Sequence, residues 1–455
     1  MSRIYSALLF GIALLSAAVP AAAQSAAPAK APLLEQRFLD ALVGDWNQRQ
    51  NAIAWIEQNW QPEFAPFAFE SMALMRDRRQ QLRLLEVLQS KTGQDIGFDL
   101  RAWMQWIWQA DPPVSARYSA FKSALYGLLD PRFKGYFSPD RAHTIRLTEA
   151  VWGGVAQDGI PPLRQPKMIA APEAAYLEDS NVVFGIAVNG DARAYPKRIL
   201  AWHEMFVDTI GGVPLAGVYC TLCGAVIAYG TEVDGVNHAL GTSGFLYRSN
   251  KLMYDQATQS LWSTMRGTPV VGPLVGREIV LPRYAVVTTT WGEWRKRHPD
   301  TTVLAIETGH QRDYAEGAAY RNYFATDSLM FPVPSPDDRL KNKDEVFGLL
   351  LDEAPPTAIA AAYLSANPIH HQTLGPVEAV ILTSPSGANR AYSVGDVKFV
   401  EWDGGNTAVD ATGQRWTLSE DRLAHASGRE LPRLPAHRAF WFGWHAAFPE
   451  TVLVR

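Results

Sequence analysis

Two cysteines, Cys220 and Cys223, stand three positions apart in "GVYCTLCGAVIAYG", and the 455-residue chain has no others. Such a pair serves one of three chemistries: a dithiol–disulfide redox couple, half of a metal site, or a local structural disulfide. In thioredoxin-like proteins the pair opens a helix, whose N-terminal dipole lowers the thiol pKa. The residues here predict another geometry. Val218 and Tyr219 end one strand, Gly224 can take a positive φ, and "AVIAY" begins a second strand, so the cysteines fall at a hairpin tip. Cys-x-x-Cys-Gly in that setting is the shape of a metal knuckle, which supplies two thiolates to a tetrahedral shell and leaves two positions to fill.

His203, in "ILAWHEMF", is the nearest further ligand, and Glu204 beside it is a candidate acid or base for proton transfer. Met253 in "KLMYD" offers a thioether and Asp255 a carboxylate; thiolate, imidazole and thioether together point to copper, and thiolate with imidazole equally to zinc. Each has an ordinary structural reading too: a hydrogen-bonded core histidine, a core methionine, a turn aspartate. His238 follows a turn and reads as exposed, the adjacent His370 and His371 point apart on an extended chain, and the remaining histidines lack ligand-like spacing. Zinc deaminases pair His-x-Glu with Pro-Cys-x-x-Cys, whereas this chain has His203-Glu204 without a spacer and Tyr219 in place of the proline. Nucleophile-elbow, Walker, dinucleotide and haem-attachment motifs are missing as well.

The elements around these residues change character along the chain. Residues 34–140 carry helical spacing, as in Phe38, Leu42 and Trp46 or Leu82, Leu85 and Leu88. Breaks at "QPEFAP", "KTGQDIG" and "ADPPVS" divide that region into four or five helices with no fixed internal period. Residues 151–324 then read as a β-rich core domain. Asn189-Gly190-Asp191 joins two strand-type runs, a helix follows in "PKRILAWHEMFVDTI" up to Gly211-Gly212, and glycine-bearing turns separate further short strands. A proline-rich crossing leads to residues 325–455, a hairpin segment expected to pack on the core domain. The fold class predicted is α+β: an N-terminal helical region, then a large, mainly antiparallel β-rich domain.

Arg3 followed by a short apolar run and "PAAAQ" predicts a signal peptide over residues 1–23, cleaved after Ala23, with a linker over 24–33. The expected location is therefore periplasmic or secreted, without stable membrane insertion once the peptide is removed. With 47% hydrophobic residues the chain can build a sizeable core, and a net charge of −4 gives no electrostatic reason for a nucleic-acid partner.

The runs "NGDARAYPKRILAWHEMFVDTIGGVPL", "YCTLCGAVIAY", "GTSGFLYRSNKLMYDQATQSLWS", "TTTWGEWRKRHPDTTVL" and "FWFGWHAAFPET" resemble, in fixed order, a bacterial family catalogued as domain of unknown function three-one-seven-nine. That resemblance spans about residues 158–443 and leaves the helices outside. It implies no activity, but it places His203, Glu204, Cys220, Cys223 and Gly224 on the family's "NWHE" and "YCPLCG" motifs, with Ala201 for the usual Asn and Thr221 for the usual Pro. It also sets Tyr247, Met253, Tyr254 and Asp255 near the same core. The resulting expectation is an exported protein binding one copper or zinc ion through Cys220, Cys223 and His203, completed by Met253 or Asp255. The alternatives are a periplasmic thiol–disulfide redox protein and a scaffold whose local disulfide braces a surface for a protein or small-molecule partner.

Overall fold

The structure, a computed structural model, describes residues 33–455; the expected signal peptide and all but the last residue of the expected linker lie outside the described residues. The fold is α+β. Six helices open it: α1 (Leu34–Val43), α2 (Trp46–Gln58), α3 (Phe64–Leu74), α4 (Arg78–Thr92), α5 (Leu100–Ala110) and α6 (Arg117–Gly127). The spacing of Phe38, Leu42 and Trp46 reads as one helix, yet the chain breaks at Gly44-Asp45. The Asp45 carboxylate caps the Gln48 N–H at 2.9 Å while the Gln48 side chain accepts from the Asp45 N–H at 2.8 Å, a reciprocal pair that starts a new helix.

The helices share one apolar core with the strands behind them. Phe38, Phe67 and Phe121 continue through Tyr126, Phe133 and Phe137 to Phe245, and from there to Leu252, Cys220, Cys223 and Phe440. Phe245 sits among Tyr126, Phe133 and Phe137 with ring centroids 5.0 Å away in each case. The site region is therefore roofed by the helical part.

The strand-rich part builds one unit twice. In the first copy, Val182–Val188 pairs antiparallel with Asp191–Pro196 and with Val287–Thr290, and Thr302–Leu304 runs parallel to Asp191–Pro196. In the second copy, Glu345–Leu349 pairs antiparallel with Thr357–Ala360 and Ala436–Phe440, and Val452–Val454 runs parallel to Thr357–Ala360. Each copy adds a short helix, α7 (Lys197–His203) in the first, and an antiparallel three-strand meander: Met205–Ile210, Val213–Cys220 and Ala225–Gly230, against Ile369–Leu374, Val377–Thr383 and Asn389–Ser393. In the first copy α8 (Trp291–Arg297) precedes the last strand; α9 (Arg321–Phe324) lies between the copies; α10 (Ala361–Ala366) and α11 (Trp441–Ala447) repeat α7 and α8. The indole N–H of Trp294 donates to Thr301 Oγ1 at 2.9 Å, and that of Trp444 to Thr451 Oγ1 at 2.8 Å.

These paired tryptophans demand glycine opposite them. A Cβ on Gly185 would lie 2.2 Å from the Trp294 ring, and one on Gly348 2.1 Å from Trp444. Both rings are fully buried and have nowhere to move. Gly185→Ala or Gly348→Ala is expected to cost about 1–3 kcal/mol or more by overpacking. A urea midpoint unchanged from the parent protein for both variants would contradict this packing.

One expected element is shorter than predicted. The helix read through "PKRILAWHEMFVDTI" stops at His203, because Glu204 takes a left-handed conformation (φ 56°) and Met205–Ile210 becomes a strand with alternating burial. Period-two patterning with Phe206 and Ile210 turned to the core prevailed over helical propensity.

Candidate functional site

Strand Val213–Cys220 ends at Cys220, which lies opposite Ala225 on the returning strand, so the Cys-x-x-Cys run is a hairpin tip as its residues predict. Gly224 has φ 60°, and a Cβ there would meet the Phe440 ring at 2.9 Å, so glycine is required both for backbone and for space. The two cysteines form a disulfide with Cα atoms 5.3 Å apart. Cys223 is fully buried, its carbonyl accepting the Phe440 N–H at 2.7 Å, and Gly443 on α11 packs against its Cβ. Cys220 is 2% exposed and lines a cavity of about 70 Å³ with room for a few waters or a small ligand.

The cavity is polar at one point. Glu204, Thr221, Lys251 and Tyr320 line it beside Cys220, while Ile160, Leu246 and Phe331, with Thr242, make the rest mostly apolar. Glu204 Oε1 accepts from Thr221 Oγ1 at 2.7 Å and from the Tyr320 hydroxyl at 3.0 Å, and Oε2 accepts from the Lys251 ammonium. Both ions are buried, so each charge is held by the other and by hydrogen bonds. Burial, reinforced by the Glu204 charge, pushes the Tyr320 phenol up.

Two of these residues sit on strained backbone. Glu204 (φ 56°) and Tyr320 (φ 54°) are non-glycine residues in the left-handed region, each at a cost on the order of 1 kcal/mol. Glycine would remove the strain and also the two side chains that meet in the cavity. Lys251 arrives on a hairpin: Arg248 (φ 49°) and Ser249 (φ 62°) turn the chain between Leu240–Tyr247 and Asn250–Asp255, which sets Lys251 opposite Leu246.

The expected copper or zinc shell is not gathered. Among the described residues no three His, Cys, Asp or Glu side chains converge as a metal group. His203, one residue from Glu204, is fully buried with both ring nitrogens engaged: Nδ1 donates to the Pro161 carbonyl at 2.9 Å and Nε2 accepts from the Tyr314 hydroxyl at 2.6 Å. The acceptor-only carbonyl assigns this tautomer. Burial, with His310 and Arg312 nearby, pulls the His203 pKa down to about 4. Met253 belongs to a separate core with Met205, Val218 and Trp262. Asp255 lies four strand residues beyond Lys251, roughly 13 Å along the chain, and its carboxylate is used by His238 Nδ1 (3.1 Å) and by the Thr258 N–H (2.8 Å). His238, expected to be exposed, is 4% exposed. Of the residues singled out in the sequence, Cys220 and Glu204 share the cavity. Lys251, Thr221 and Tyr320 were not foreseen; a lysine inside the apolar strand run "NKLMYD" was the available signal for Lys251, and nothing local marks Tyr320.

The second copy shows what the site is made from. One constant offset carries Gly185 onto Gly348, Glu204 onto Asn367, Cys220 onto Thr383, Cys223 onto Ser386 and Gly224 onto Gly387. Gly387 keeps a positive φ of 86°, but Asn367 has φ −127°, so the strain stays with the copy that carries the disulfide. Each hairpin tip packs on the other copy's helix. Ser384 and Ser386 donate to Glu293 of α8, whereas Cys223 meets Gly443, which occupies the matching place on α11.

Fold and site define an α+β protein in which two copies of a strand-rich unit hold a buried disulfide against a small cavity with an ion pair. Residues 157–451 match the family described as protein of unknown function (DUF3179), and the chain belongs to that family. The match takes in both copies except the closing strand Val452–Val454 and leaves the six opening helices outside. No curated protein and no solved structure matches the chain.

Replacing both cysteines by alanine is expected to destabilise the chain by about 2 kcal/mol, the chain-entropy value for a four-residue loop. The check is a urea midpoint compared with that of the oxidised parent protein, with the reduced parent showing the cost of the lost side chains. Equal midpoints for the alanine pair and the oxidised parent would mean the bond contributes nothing to stability.

Proposed function

We propose that the protein is a periplasmic or secreted thiol–disulfide redox protein whose Cys220–Cys223 couple exchanges with a small thiol compound admitted to the cavity. The observation that carries this reading is that Cys220 shares one cavity with a buried Glu204–Lys251 ion pair and a tyrosine, on backbone strained at two of those residues. Cys220 faces the cavity and Cys223 is enclosed behind it, so the entering thiolate attacks the Cys220 sulfur. That bond forms as the Cys220–Cys223 bond breaks, and the electron pair leaves on the Cys223 sulfur. A second substrate thiol then attacks the substrate sulfur of the mixed disulfide, releases Cys220 as thiolate, and departs as a disulfide. Two electrons pass to the protein and two protons follow. A thiolate in an apolar pocket is costly, so a proton must be at hand; the Lys251 ammonium, held by Glu204, is the acid that lines the cavity, while burial keeps the proton on the Tyr320 hydroxyl, which can only hydrogen-bond.

Equilibration with mixtures of reduced and oxidised dithiothreitol, followed by alkylation and mass measurement, tests the couple. A reversible two-electron transition in the native protein supports it, together with a rate of reduction that falls at least tenfold in Glu204→Gln. A bond that resists reduction until the protein unfolds would overturn it.

The near-complete burial of both cysteines favours a second reading, the structural brace, which predicts that last outcome. The copper or zinc reading requires the dithiol form and new partners for His203, and metal content per chain after reduction, by elemental mass spectrometry, decides it.

A further inference from the structure

A further pocket, of about 430 Å³, lies where the helical part, the hairpin turn before Lys251 and α11 of the second copy come together. Trp108 and Gln109 reach it from α5, Arg248 from the hairpin turn, and His445 from α11. Arg146 and Glu149, which follow the six opening helices, complete its charged side.

The two arginines grip one buried carboxylate. Glu149 is fully buried; its Oε2 accepts from Arg248 Nε at 2.6 Å, and its Oε1 lies 2.6 Å from Arg146 Nη2. Arg146 is engaged at both ends of its fork, since Nη2 also donates to the Trp108 carbonyl at 2.6 Å and Nη1 lies 3.0 Å from the Asp111 carboxylate. Arg248 is held differently. Glu149 fixes its Nε, and its guanidinium carbon sits 5.2 Å from the centre of the Tyr247 ring, while its two terminal nitrogens have no hydrogen-bond partner among the described residues and neither is enclosed. The Arg248 side chain is 26% exposed, so the free edge of the fork is open to an arriving group. Gln109 and Ser335, both exposed, add polar groups at the rim.

We propose that this pocket binds a small organic monoanion, a carboxylate, received by the Arg248 guanidinium through its two terminal nitrogens. A planar fork with both outer nitrogens free matches the two oxygens of a carboxylate, and a fork already fixed at Nε loses little freedom on binding. Charge selects the sign. Of the charged groups lining the pocket, two guanidiniums stand against one carboxylate, an excess of one positive charge. Asp111 beside Arg146 and Glu450 near His445 are exposed and screened by water, and Asp337 beside His445 is matched by Arg339 at 3.0 Å. Burial pulls the His445 pKa down, so its imidazole adds no charge near neutral pH. A phosphate monoester, at about −1.5 to −2, exceeds the single charge that a carboxylate balances. Size is permissive: a cavity of about 150 Å³ accommodates benzene, so this pocket takes a ring or short-chain acid together with waters.

The experiment titrates the full purified chain, by calorimetry at low ionic strength in a buffer free of carboxylate and phosphate, with benzoate, with the neutral benzamide of the same shape, and with phenyl phosphate. Saturable binding of benzoate is expected, at least tenfold tighter than that of benzamide and tighter than that of phenyl phosphate. Arg248→Lys keeps the charge beside Glu149 but removes the fork, and should weaken benzoate binding at least tenfold. Gln109→Glu changes an exposed residue at the rim, sets a like charge against the ligand, and should also weaken it; this variant serves if Arg248→Lys does not fold. Absence of saturable benzoate binding, equal affinity for benzamide, tighter binding of phenyl phosphate, or benzoate affinity unchanged in a folded variant would overturn the proposal.

Discussion

Lys251→Met is expected to destabilise the folded chain by about 3–5 kcal/mol, because it leaves the Glu204 carboxylate in its cavity without a counter-ion. The size of the effect follows from burial. The same pair on the surface would contribute at most about 1 kcal/mol, whereas here Glu204 is 6% exposed and Lys251 likewise 6%. Glu204→Gln alone should be costly in the same sense, since it strands the ammonium. The double variant, Glu204→Gln with Lys251→Met, should recover most of the loss, since no charge then remains unmatched. Denaturation midpoints for the four proteins form a double-mutant cycle, and a coupling below about 1 kcal/mol would mean the pair is solvated. The cycle also separates structure from chemistry. If the proposed exchange uses the ion pair, the double variant regains stability and still reduces slowly; if the disulfide is a brace, its reduction rate follows stability in all four.

The second large effect is a loss of stability in mild acid. His203 and His437 are both buried, and burial holds their pKa values down to about 4 and about 3 respectively. Arg283 adds to the effect at His437, whose Nε2 lacks a hydrogen-bond partner among the described residues. In the unfolded chain both rings titrate near 6.5. Below that value the unfolded state binds protons that the folded state refuses, so stability is complete above about pH 6.5 and is lost as the pH falls toward 4. At 1.36 kcal/mol per unit, and with the His203 share reduced for partial solvation, the two sites together lose about 5 kcal/mol by pH 4. At His203 the loss has a plain cause. Protonation turns Nε2 from an acceptor into a donor against the Tyr314 hydroxyl, beside His310 and Arg312. Melting temperature between pH 7 and pH 4 measures the effect, and His203→Gln should make the curve shallower, leaving the share of His437. A flat profile in the parent protein would show that the rings are protonated in the folded state.

What was legible in the sequence was mostly local. Gly224 after Cys223, between two strand-forming runs, specified a hairpin tip, and the helical spacing before residue 127 specified helices. The motif order carried the family, which the match over residues 157–451 shows. The helix at "ILAWHEMF" ran too far because six apolar and polar residues, Met205–Ile210, suit either period until a neighbouring strand selects one.

The duplication was hidden for a different reason. Its two copies share a fold, a Gly–Trp contact and a glycine turn, while the residues between them have diverged to Thr383, Ser384 and Ser386 where the first copy has cysteines and threonine. Packing preserves shape with few fixed side chains, so the repeat survives in the sheets after it has faded from the letters.

By itself the sequence determined the fold class, the cysteine hairpin and the family, because each depends on residues close together in the chain. Tertiary structure alone decided that His203 turns away to Pro161 and Tyr314, that Met253 and Asp255 serve other contacts, and that Lys251 and Tyr320 meet Glu204 beside Cys220. Those residues come from separate strands and loops as far apart as Glu204 and Tyr320, and which of them converge is set by how sheets pack, a long-range outcome that no local spacing encodes.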